Sequence, residues 1–272
     1  MRQTRRIRES DFSAGARNMA VDSAIAGAVG AGRQPATLRL YGWNPYSLSL
    51  GYGQRIREAD SEALRRNGWD LVRRPTGGKA ILHGDELTYS LCLPLDHPLA
   101  SGDIVASYRR ISTLLLRALE ALGLSATAEA ADASAGRASS GPVCFAQPSH
   151  YEILVGGRKL IGSAQLRRKG VMLQHGTIPI CGDVARVCDA LRFESEAARA
   201  KQRTRTRQRA VTLTEALGRS PAWDEVADAL EAGFAHALEL ERQPGALSAE
   251  EEVDAAALVR DKFGNPAWTG KR

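Results

Sequence analysis

Two side chains between Gly141 and Gly176 can perform group transfer, those of Cys144 and Lys159. The thiolate is the nucleophilic form of cysteine, and a free thiol with a pKa of about 8.5 is mostly protonated at neutral pH. An ammonium group beside the thiol would lower that pKa, and the lysine can accept a proton when an amine attacks an acyl-enzyme. The pair predicts covalent acyl transfer. The alternative is a small buried cysteine and a solvated strand lysine.

The residues around Lys159 predict a β-hairpin. Tyr151–Val155 and Arg158–Gly162 have strand composition, and Gly156-Gly157 between them suits a two-residue turn with positive φ at both positions. This turn places Lys159 opposite Leu154. Strand alternation predicts two further residues on the face of Lys159, namely Ile161 and Ser163.

The position of Cys144 relative to this hairpin depends on the chain between them. Cys144 precedes Leu154 by ten residues, which is about 33 Å in an extended strand. The Cys144 and Lys159 pair therefore requires residues 144–149 to fold back as a loop. Pro148 is placed to break the strand there.

A second stretch predicts a turn with ligand-binding backbone. Pro75–Gly78 is expected to form a tight turn between strands Leu71–Arg74 and Ala80–His83. Its two glycines let backbone N–H groups face a carbonyl or carboxylate oxygen, although a hairpin turn without a ligand is the alternative. By itself the glycine pair favours the turn without a ligand, and three basic residues around it count toward a ligand, namely Arg73, Arg74 and Lys79. The His83 side chain is either a polar group at the pocket edge or a hydrogen-bonded core histidine.

Composition excludes several protein classes. The chain has 272 residues, 43% hydrophobic and 25% charged, as expected for a soluble globular protein. No apolar run approaches the ~18 residues that would cross a bilayer, and the basic N-terminus lacks the apolar segment of a secretory signal. The four cysteines show no metal-ligand spacing, so we expect reduced thiols, a cytoplasmic location and no structural metal. They are Cys92, Cys144, Cys181 and Cys188.

The formal net charge of +6 is concentrated in part at residues 199–209, RAKQRTRTRQR. A solvated loop or a frayed helix end is one interpretation of this basic segment. Because no aromatic residue alternates with the charges, the stacking surface typical of single-stranded nucleic-acid binding is missing. An acidic protein partner is the functional interpretation that we favour over nucleic acid or membrane.

The remaining pattern predicts strands in the first 180 residues and helices after residue 211. Helices are expected at Asn18–Gly30, at Glu58–Asn67 before Gly68, at Asp103–Leu122, after Ser220-Pro221, and through residues 211–264, packed on the same domain. Strands Thr37–Tyr41 and Ser47–Tyr52 are expected to pair, and Val171–Ile180 to be interrupted at Gly176. Residues 126–141, rich in Ala, Ser and Gly, are expected to be a mobile connection. One α+β domain over residues 1–272 is the predicted fold class, a mixed β-sheet flanked by helices.

Three segments resemble the lipoate and biotin protein ligase superfamily. WNPYSLSLGYGQ (43–54) is similar to the W-x-P-x-x-x-S-L-G-x-x-Q segment, and RRPTGGKAILH (73–83) to the R-R-x-[ST]-G-G-x-A-V-x-H motif. GRKLIGSAQ (157–165) is similar to the G-[RK]-K-[LI]-x-G-[ST]-A-Q motif, whose lysine corresponds to Lys159. Lys79 departs from the Gly or Arg usual at its position. The resemblance implies the catalytic-domain fold of that superfamily.

A fourth segment, CFAQPSHYE (144–152), resembles the C-F-x-x-P-S-x-Y-E segment of octanoyl-acyl carrier protein:protein N-octanoyltransferases of the LipM type. The resemblance implies that Cys144 carries the acyl thioester and that Lys159 lowers the pKa of its thiol. The expected substrate-binding residues are Arg74, Gly77, Gly78, Lys79, His83, Gly162, Ser163 and Ala164.

The resemblance implies an activity in lipoate biosynthesis. An octanoyl group would move from octanoyl-acyl carrier protein to a lysine of a lipoyl domain, in the glycine cleavage H protein or an E2 subunit, without a cofactor, metal or ATP. A monomer is expected. The alternatives are an ATP-dependent lipoate-protein ligase, an octanoyl or lipoyl amidotransferase from H protein to E2, and a non-catalytic binder of carrier domains.

Overall fold

The computed structural model describes residues 3–130, 143, 151–241 and 243–272. The strands are β1 (Arg5–Arg8), β2 (Thr37–Tyr41), β3 (Ser47–Leu50), β4 (Asp70–Arg73), β5 (Ile81–His83), β6 (Glu86–Pro94), β7 (Thr127–Ala130), β8 (Tyr151–Val155), β9 (Arg158–Arg168) and β10 (Val171–Pro179). The helices are α1 (Gly15–Gly30), α2 (Ser61–Asn67), α3 (Ile104–Ala121), α4 (Glu196–Arg209), α5 (Leu213–Leu217), α6 (Trp223–Ala235), α7 (Ala249–Leu258) and α8 (Pro266–Thr269). Short stretches of 3₁₀-helix at Ile56–Glu58 and Val184–Ala190 and of π-helix at Val259–Phe263 complete the elements. Among the described helices, none is long and apolar enough to span a bilayer.

The strands form two sheets. Seven strands lie in the order β1-β2-β6-β10-β9-β8-β7, and three in the order β4-β3-β5. Helices α3 and α6 cover one face of the larger sheet, where Leu91, Leu115 and Phe234 are buried. Helix α1 lies on the other face and is covered in turn by α7, with Met19 and Ala255 buried there. The predicted α+β class with a mixed sheet flanked by helices is therefore confirmed.

Local signals in the sequence identify helix α3 well. Asp103 accepts a hydrogen bond from the Ala106 amide at 2.7 Å as the N-cap, and Gly123 follows the helix with φ of 85°. Leu115 and Leu119 are buried on the apolar stripe, whereas Ile104 is 45% exposed. The apolar face of α3 is therefore core, whereas the first residue of the helix is exposed.

The predicted pairing of strands was wrong in two places. β2 pairs with β1 and β6, whereas β3 pairs with β4 and β5 in the other sheet. The segment Pro75–Gly78 is not a hairpin turn, because β3 lies between β4 and β5. It is instead a crossover loop, whose six residues Arg74–Lys79 we call the crossover loop below. Sequence proximity had suggested partners that the tertiary fold does not use.

Strand β10 is not interrupted at Gly176. The register of β10 with β6 and β9 is continuous, and Gly176 lies opposite Tyr89 and Ser163. A methyl group at Gly176 would lie 2.5 Å from Cε1 of Tyr89. The glycine therefore makes room for the Tyr89 ring and does not end the strand.

Three other expectations need correction. Residues Thr127–Ala130, at the start of the expected connection 126–141, form the edge strand β7, and residues 131–141 lie outside the described part. Helix α6 begins after Ala222 and not at Ser220-Pro221. The basic segment 199–209 is neither a loop nor a frayed end, because it forms most of helix α4, which Ser195 caps.

Candidate active site

A β-bulge sets the direction of the Lys159 side chain. The hairpin has the predicted turn, with φ of 56° and 73° at Gly156 and Gly157, and Leu154 lies opposite Lys159 as predicted. The register then shifts, so that Ile153 lies opposite Ile161. Because consecutive residues of β8 point to opposite faces, Lys159 and Ile161 also do.

The prediction that Ile161 and Ser163 share a face with Lys159 was therefore wrong. Ile161 is buried in the core under α3, and the Ser163 hydroxyl is hydrogen-bonded to the Tyr89 hydroxyl at 2.7 Å, on the same side. Lys159 faces the α1 side instead, together with Gly162. The bulge adds one residue to β9, which a two-residue alternation does not predict, so Ile161 and Ser163 lie on the face opposite to Lys159.

Lys159 is buried and paired with Glu152. Its Nζ donates to Oε1 of Glu152 at 2.8 Å, and its side chain is 2% exposed, whereas that of Glu152 is 16% exposed. The Lys159 carbonyl accepts a hydrogen bond from the Val211 amide at 3.0 Å, which fixes the strand here. We did not predict Glu152 as a site residue, although it ends the CFAQPSHYE segment. The ammonium group is thus held in place before any substrate binds.

A cleft lies beside Lys159 on the α1 face of the sheet. Gly162 and Ala164 of β9 and His175 and Thr177 of β10 form its floor. The space free of protein atoms in the cleft is about 500 Å³, open solvent included. Its other lining residues come from α1, β2, β3, the crossover loop, β5 and β6: Met19, Tyr41, Trp43, Ser49, Arg74, Gly78, Ile81, His83, Thr88, Ser163 and Gly176.

Most predicted substrate-binding residues meet at this cleft. Six of the eight line it, namely Arg74, Gly78, His83, Gly162, Ser163 and Ala164. Gly77 and Lys79 belong to the crossover loop but are outside the lining. Lys159 lies next to it, since a methyl group at Gly162 would be 3.2 Å from Cε of Lys159. Cys144 lies outside the described residues.

The crossover loop is held in shape by its own arginine. Arg74 donates to the carbonyl oxygens of Gly77 at 2.9 Å and Lys79 at 2.8 Å, and to that of Ser49 at 3.0 Å. A side chain at Gly51 would overlap the carbonyl oxygen of Gly78, so β3 and the loop touch backbone to backbone. Arg74 thus shapes the wall of the cleft.

His83 belongs to a polar network within that wall. Its Nδ1 lies 2.7 Å from Oε1 of Glu86, which makes Nδ1 the donor, and Nε2 then accepts from the Ser49 hydroxyl at 2.8 Å. The ring stacks on Trp43 at a centroid distance of 3.9 Å. Arg74 donates to the same Ser49 hydroxyl at 3.0 Å. His83 is therefore both a cleft residue and a fully hydrogen-bonded one.

A second network ties the crossover loop to the larger sheet. Nε2 of His175 accepts from the Thr76 hydroxyl at 2.7 Å, and its Nδ1 donates to Oδ2 of Asp22 at 3.2 Å. Burial lowers the pKa of His175, so the ring stays neutral in this arrangement. Burial alone would raise the pKa of Asp22, but the bonds from His175 and Arg39 outweigh it and hold that pKa below its usual value. No sequence motif had indicated Asp22 or His175.

This network predicts a loss of stability in mild acid. Because the pKa of His175 is lowered in the folded state, the unfolded chain takes up a proton first as the pH falls below ~6.5. We expect the free energy of unfolding to fall as the pH drops below about 6.5, by up to ~1.4 kcal/mol per pH unit. Urea unfolding at several pH values measures it, and H175Q should flatten the slope, whereas H236Q, at an exposed site, should not. Equal slopes in wild type and H175Q would contradict this origin.

Comparison with known proteins identifies the family. The lipoyl protein ligase A/B catalytic domain family matches residues 14–235. The chain belongs to this family. Octanoyltransferase LipM of Symbiobacterium thermophilum is 42% identical over 271 residues, covering 98% of each chain, and that of Kyrpidia tusciae is 43% identical, covering 94% of this chain and 95% of the relative. A solved structure from the study of a bi-partite lipoate protein ligase and its E2 lipoyl domain from Thermoplasma acidophilum has a TM-score of 0.81 at 24% identity, covering 99% of this chain and 97% of that one.

These similarities confirm the resemblance drawn from the sequence motifs. Near full-length identity above 40% makes this member of the lipoyl protein ligase A/B family an acyltransferase of the LipM type. The structural likeness confirms the expected fold.

Proposed function

We propose that the protein transfers an octanoyl group from octanoyl-acyl carrier protein to the lysine of a lipoyl domain, in the glycine cleavage H protein or an E2 subunit, through a thioester on Cys144. One observation carries the proposal: a buried lysine, Lys159, is held by Glu152 beside an apolar cleft, in a chain related to octanoyltransferases. A fixed, buried ammonium group is what a reactive thiolate requires as its partner.

The other cysteines support the choice of Cys144. Burial raises the pKa of the Cys92 thiol and that of the Cys181 thiol, and it raises the pKa of Cys188 to about 11. A thiol with a raised pKa is a poor nucleophile at neutral pH. We therefore assign the role of nucleophile to Cys144.

The cleft offers a place for the acyl chain and a donor for its carbonyl. Met19, Trp43 and Ile81 supply apolar walls. The Thr177 hydroxyl is buried and has no hydrogen-bond partner among the described residues. We expect it, with backbone N–H groups near Gly162 and in the crossover loop, to donate to the thioester oxygen as negative charge develops there.

The proposed acyl transfer has two steps, and each step accounts for its proton and its leaving group. In the first, the Cys144 thiolate attacks the thioester, and the departing carrier thiolate takes a proton from the Lys159 ammonium. In the second, the neutral Lys159 amine accepts the proton of the attacking lysine of the acceptor, and Cys144 leaves as a thiolate. Thioester exchange is nearly balanced and amide formation runs downhill, so the cycle needs no ATP.

Gly162 gives a test of how closely Lys159 must be placed. The methyl group of G162A would lie 3.2 Å from Cε and 3.7 Å from Nζ of Lys159, so the lysine must shift by a few tenths of an ångström. We expect about tenfold slower acyl loading, equal to ~1.4 kcal/mol, with little change in melting temperature. G53A is the control, because open space surrounds that glycine. If G162A is acylated at the wild-type rate, the reaction does not depend on the exact position of Lys159.

The proposed function is tested by intact mass spectrometry. The purified protein is incubated with octanoyl-acyl carrier protein, without acceptor and without ATP. A gain of one octanoyl group supports the proposal. Loading from acylated H protein alone would favour the amidotransferase, and modification of a lipoyl domain that needs ATP and free octanoate would favour the ligase.

A further inference from the structure

A second groove lies on the same face of the β9–β10 hairpin as the cleft. Leu166 and Arg168 of β9 and Val171 and Leu173 of β10 form its floor. On both strands they continue the two-residue spacing of the cleft residues, after them on β9 and before them on β10, so the strands place both depressions on one face. The space free of protein atoms in the groove is about 1560 Å³, open solvent included, and its walls come from α1, the loop after β3, the crossover loop and the C-terminal segment, with Gly27, Tyr52, Pro75, Lys169, Lys262 and Trp268 among them.

The groove is cationic. Three of its described lining residues are basic and none is acidic, and no described carboxylate forms an ion pair with Arg168, Lys169 or Lys262. Lys262 lies over the ring of Trp268 at 4.4 Å from its centroid. Burial, with the nearby charges of Arg168 and Lys271, lowers the pKa of Lys262. The positive charges here are close together and not compensated within the described chain.

The basic helix α4 is different in this respect. Arg199 pairs with Glu196 at 2.6 Å, Arg207 pairs with Asp183 at 2.6 Å, and Arg203 forms an ion pair with Asp189. Much of the charge of the segment 199–209 is thus neutralised internally. The groove, and not α4, is the stronger candidate for the surface that meets an acidic partner.

The crossover loop separates the groove from the cleft. Its Thr76 contacts His175 of the cleft floor, while Pro75 lines the groove and Gly78 lines the cleft. A partner seated in the groove therefore reaches the thioester site only with an extension that passes over this loop.

The distance between the groove and the cleft indicates which of the two protein substrates can dock in the groove. From Gly162 to Arg168 the strand advances six residues, about 20 Å. A phosphopantetheine arm has about 13 bonds between phosphorus and sulfur, which extend to about 15 Å, and the arginine side chain reaches about 6 Å further. An acceptor lysine has only about 6 Å of side chain, so its protein must sit at the cleft itself. The spacing fits a donor with a long arm.

We propose that this groove docks the acyl-carrier donor, with the arm's phosphate and the acidic surface around it at Arg168, Lys169 and Lys262. This inference rests on the proposed octanoyl transfer from a carrier protein. Opposite charges at the rim of an interface mainly raise the association rate, and salt weakens them. The groove thus serves the loading step and not the transfer to the acceptor.

The test separates the two half-reactions. Loading is measured with octanoyl-carrier protein and with octanoyl-N-acetylcysteamine, a thioester without phosphate or protein. Transfer is measured from pre-loaded enzyme to a lipoyl domain. For R168Q and K262Q we expect about tenfold slower loading from the carrier protein each, with a weaker salt dependence, and unchanged rates in the other two assays. R260Q is the control, because exposed Arg260 pairs with its neighbour Asp261.

A steric variant tests the groove without changing its charge. Open space surrounds Gly27 on the groove face of α1, so G27L fits the helix and fills the groove. It should weaken binding of the carrier protein in calorimetry by about tenfold or more, a readout that needs no chemistry. Unchanged carrier binding in both R168Q and G27L would overturn the inference, as would slower transfer to the acceptor with normal loading. A wild type that never becomes acylated by either donor would instead remove the proposed function, a failure that the calorimetric binding of the carrier protein distinguishes from a failure of the groove.

Discussion

Replacing Cys144 with alanine is expected to abolish the octanoylated enzyme and to reduce turnover by at least ~10⁴-fold, since loss of a catalytic nucleophile removes the covalent route. Intact mass after incubation with octanoyl-acyl carrier protein shows the first effect, and a lipoyl-domain acylation assay shows the second. C144S should also lose most activity, because a serine hydroxyl is not activated by an adjacent ammonium group as a thiol is.

The matched control for this variant is C181A. Cys181 is half-buried and its pKa is raised, so its loss should leave both assays at the wild-type level. An octanoyl adduct on C144A in the same yield as on wild type would place the nucleophile elsewhere. Peptide mapping of that adduct would then locate it.

Replacing Lys159 with methionine is expected to act on both rate and stability. Loss of the proton carrier should slow turnover by ~10²–10⁴-fold. Without the ammonium, the thiol of Cys144 should return toward its ordinary pKa, so the loading rate of K159M should rise steeply up to about pH 8.5. The wild-type rate should depend much less on pH over that range. A K159M profile that parallels the wild type would contradict the role assigned to Lys159.

The stability effect of K159M comes from the carboxylate left behind. Glu152 would lose its ion pair with Lys159 in a largely buried position. We expect a cost of about 2 kcal/mol, below the ~3–5 kcal/mol of a fully buried pair because Glu152 is 16% exposed. The double variant K159M/E152Q should recover stability in urea unfolding but not activity. Recovery of activity along with stability would mean that Lys159 is only structural.

Local features of the fold were largely predictable from the sequence. The Gly156-Gly157 turn and the Asp103 cap depend on a few neighbouring residues, and both are present. The partners of strands β2 and β3 depend on contacts far apart in the chain, and the local pattern did not contain them. The bulge beside Lys159 adds one residue to a strand, so alternation predicted the wrong face for Ile161.

The candidate site was predictable to the extent that motifs mark it. Arg74, His83 and Gly162 come together from separate segments, as the motifs indicated. Glu152 and His175 were missed, because an acidic residue on a strand and a lone histidine carry no functional signal by themselves. Their importance appears only when burial and hydrogen-bond partners are known.

The two anchors of the crossover loop belong to different sheets. Arg74 binds Ser49 in the small sheet, and Thr76 binds His175 in the large one. The crossover loop, which forms a wall of the cleft, therefore also connects the two sheets. A shift of one sheet relative to the other would change the width of the cleft, so the shape of the cleft depends on the alignment of the two sheets.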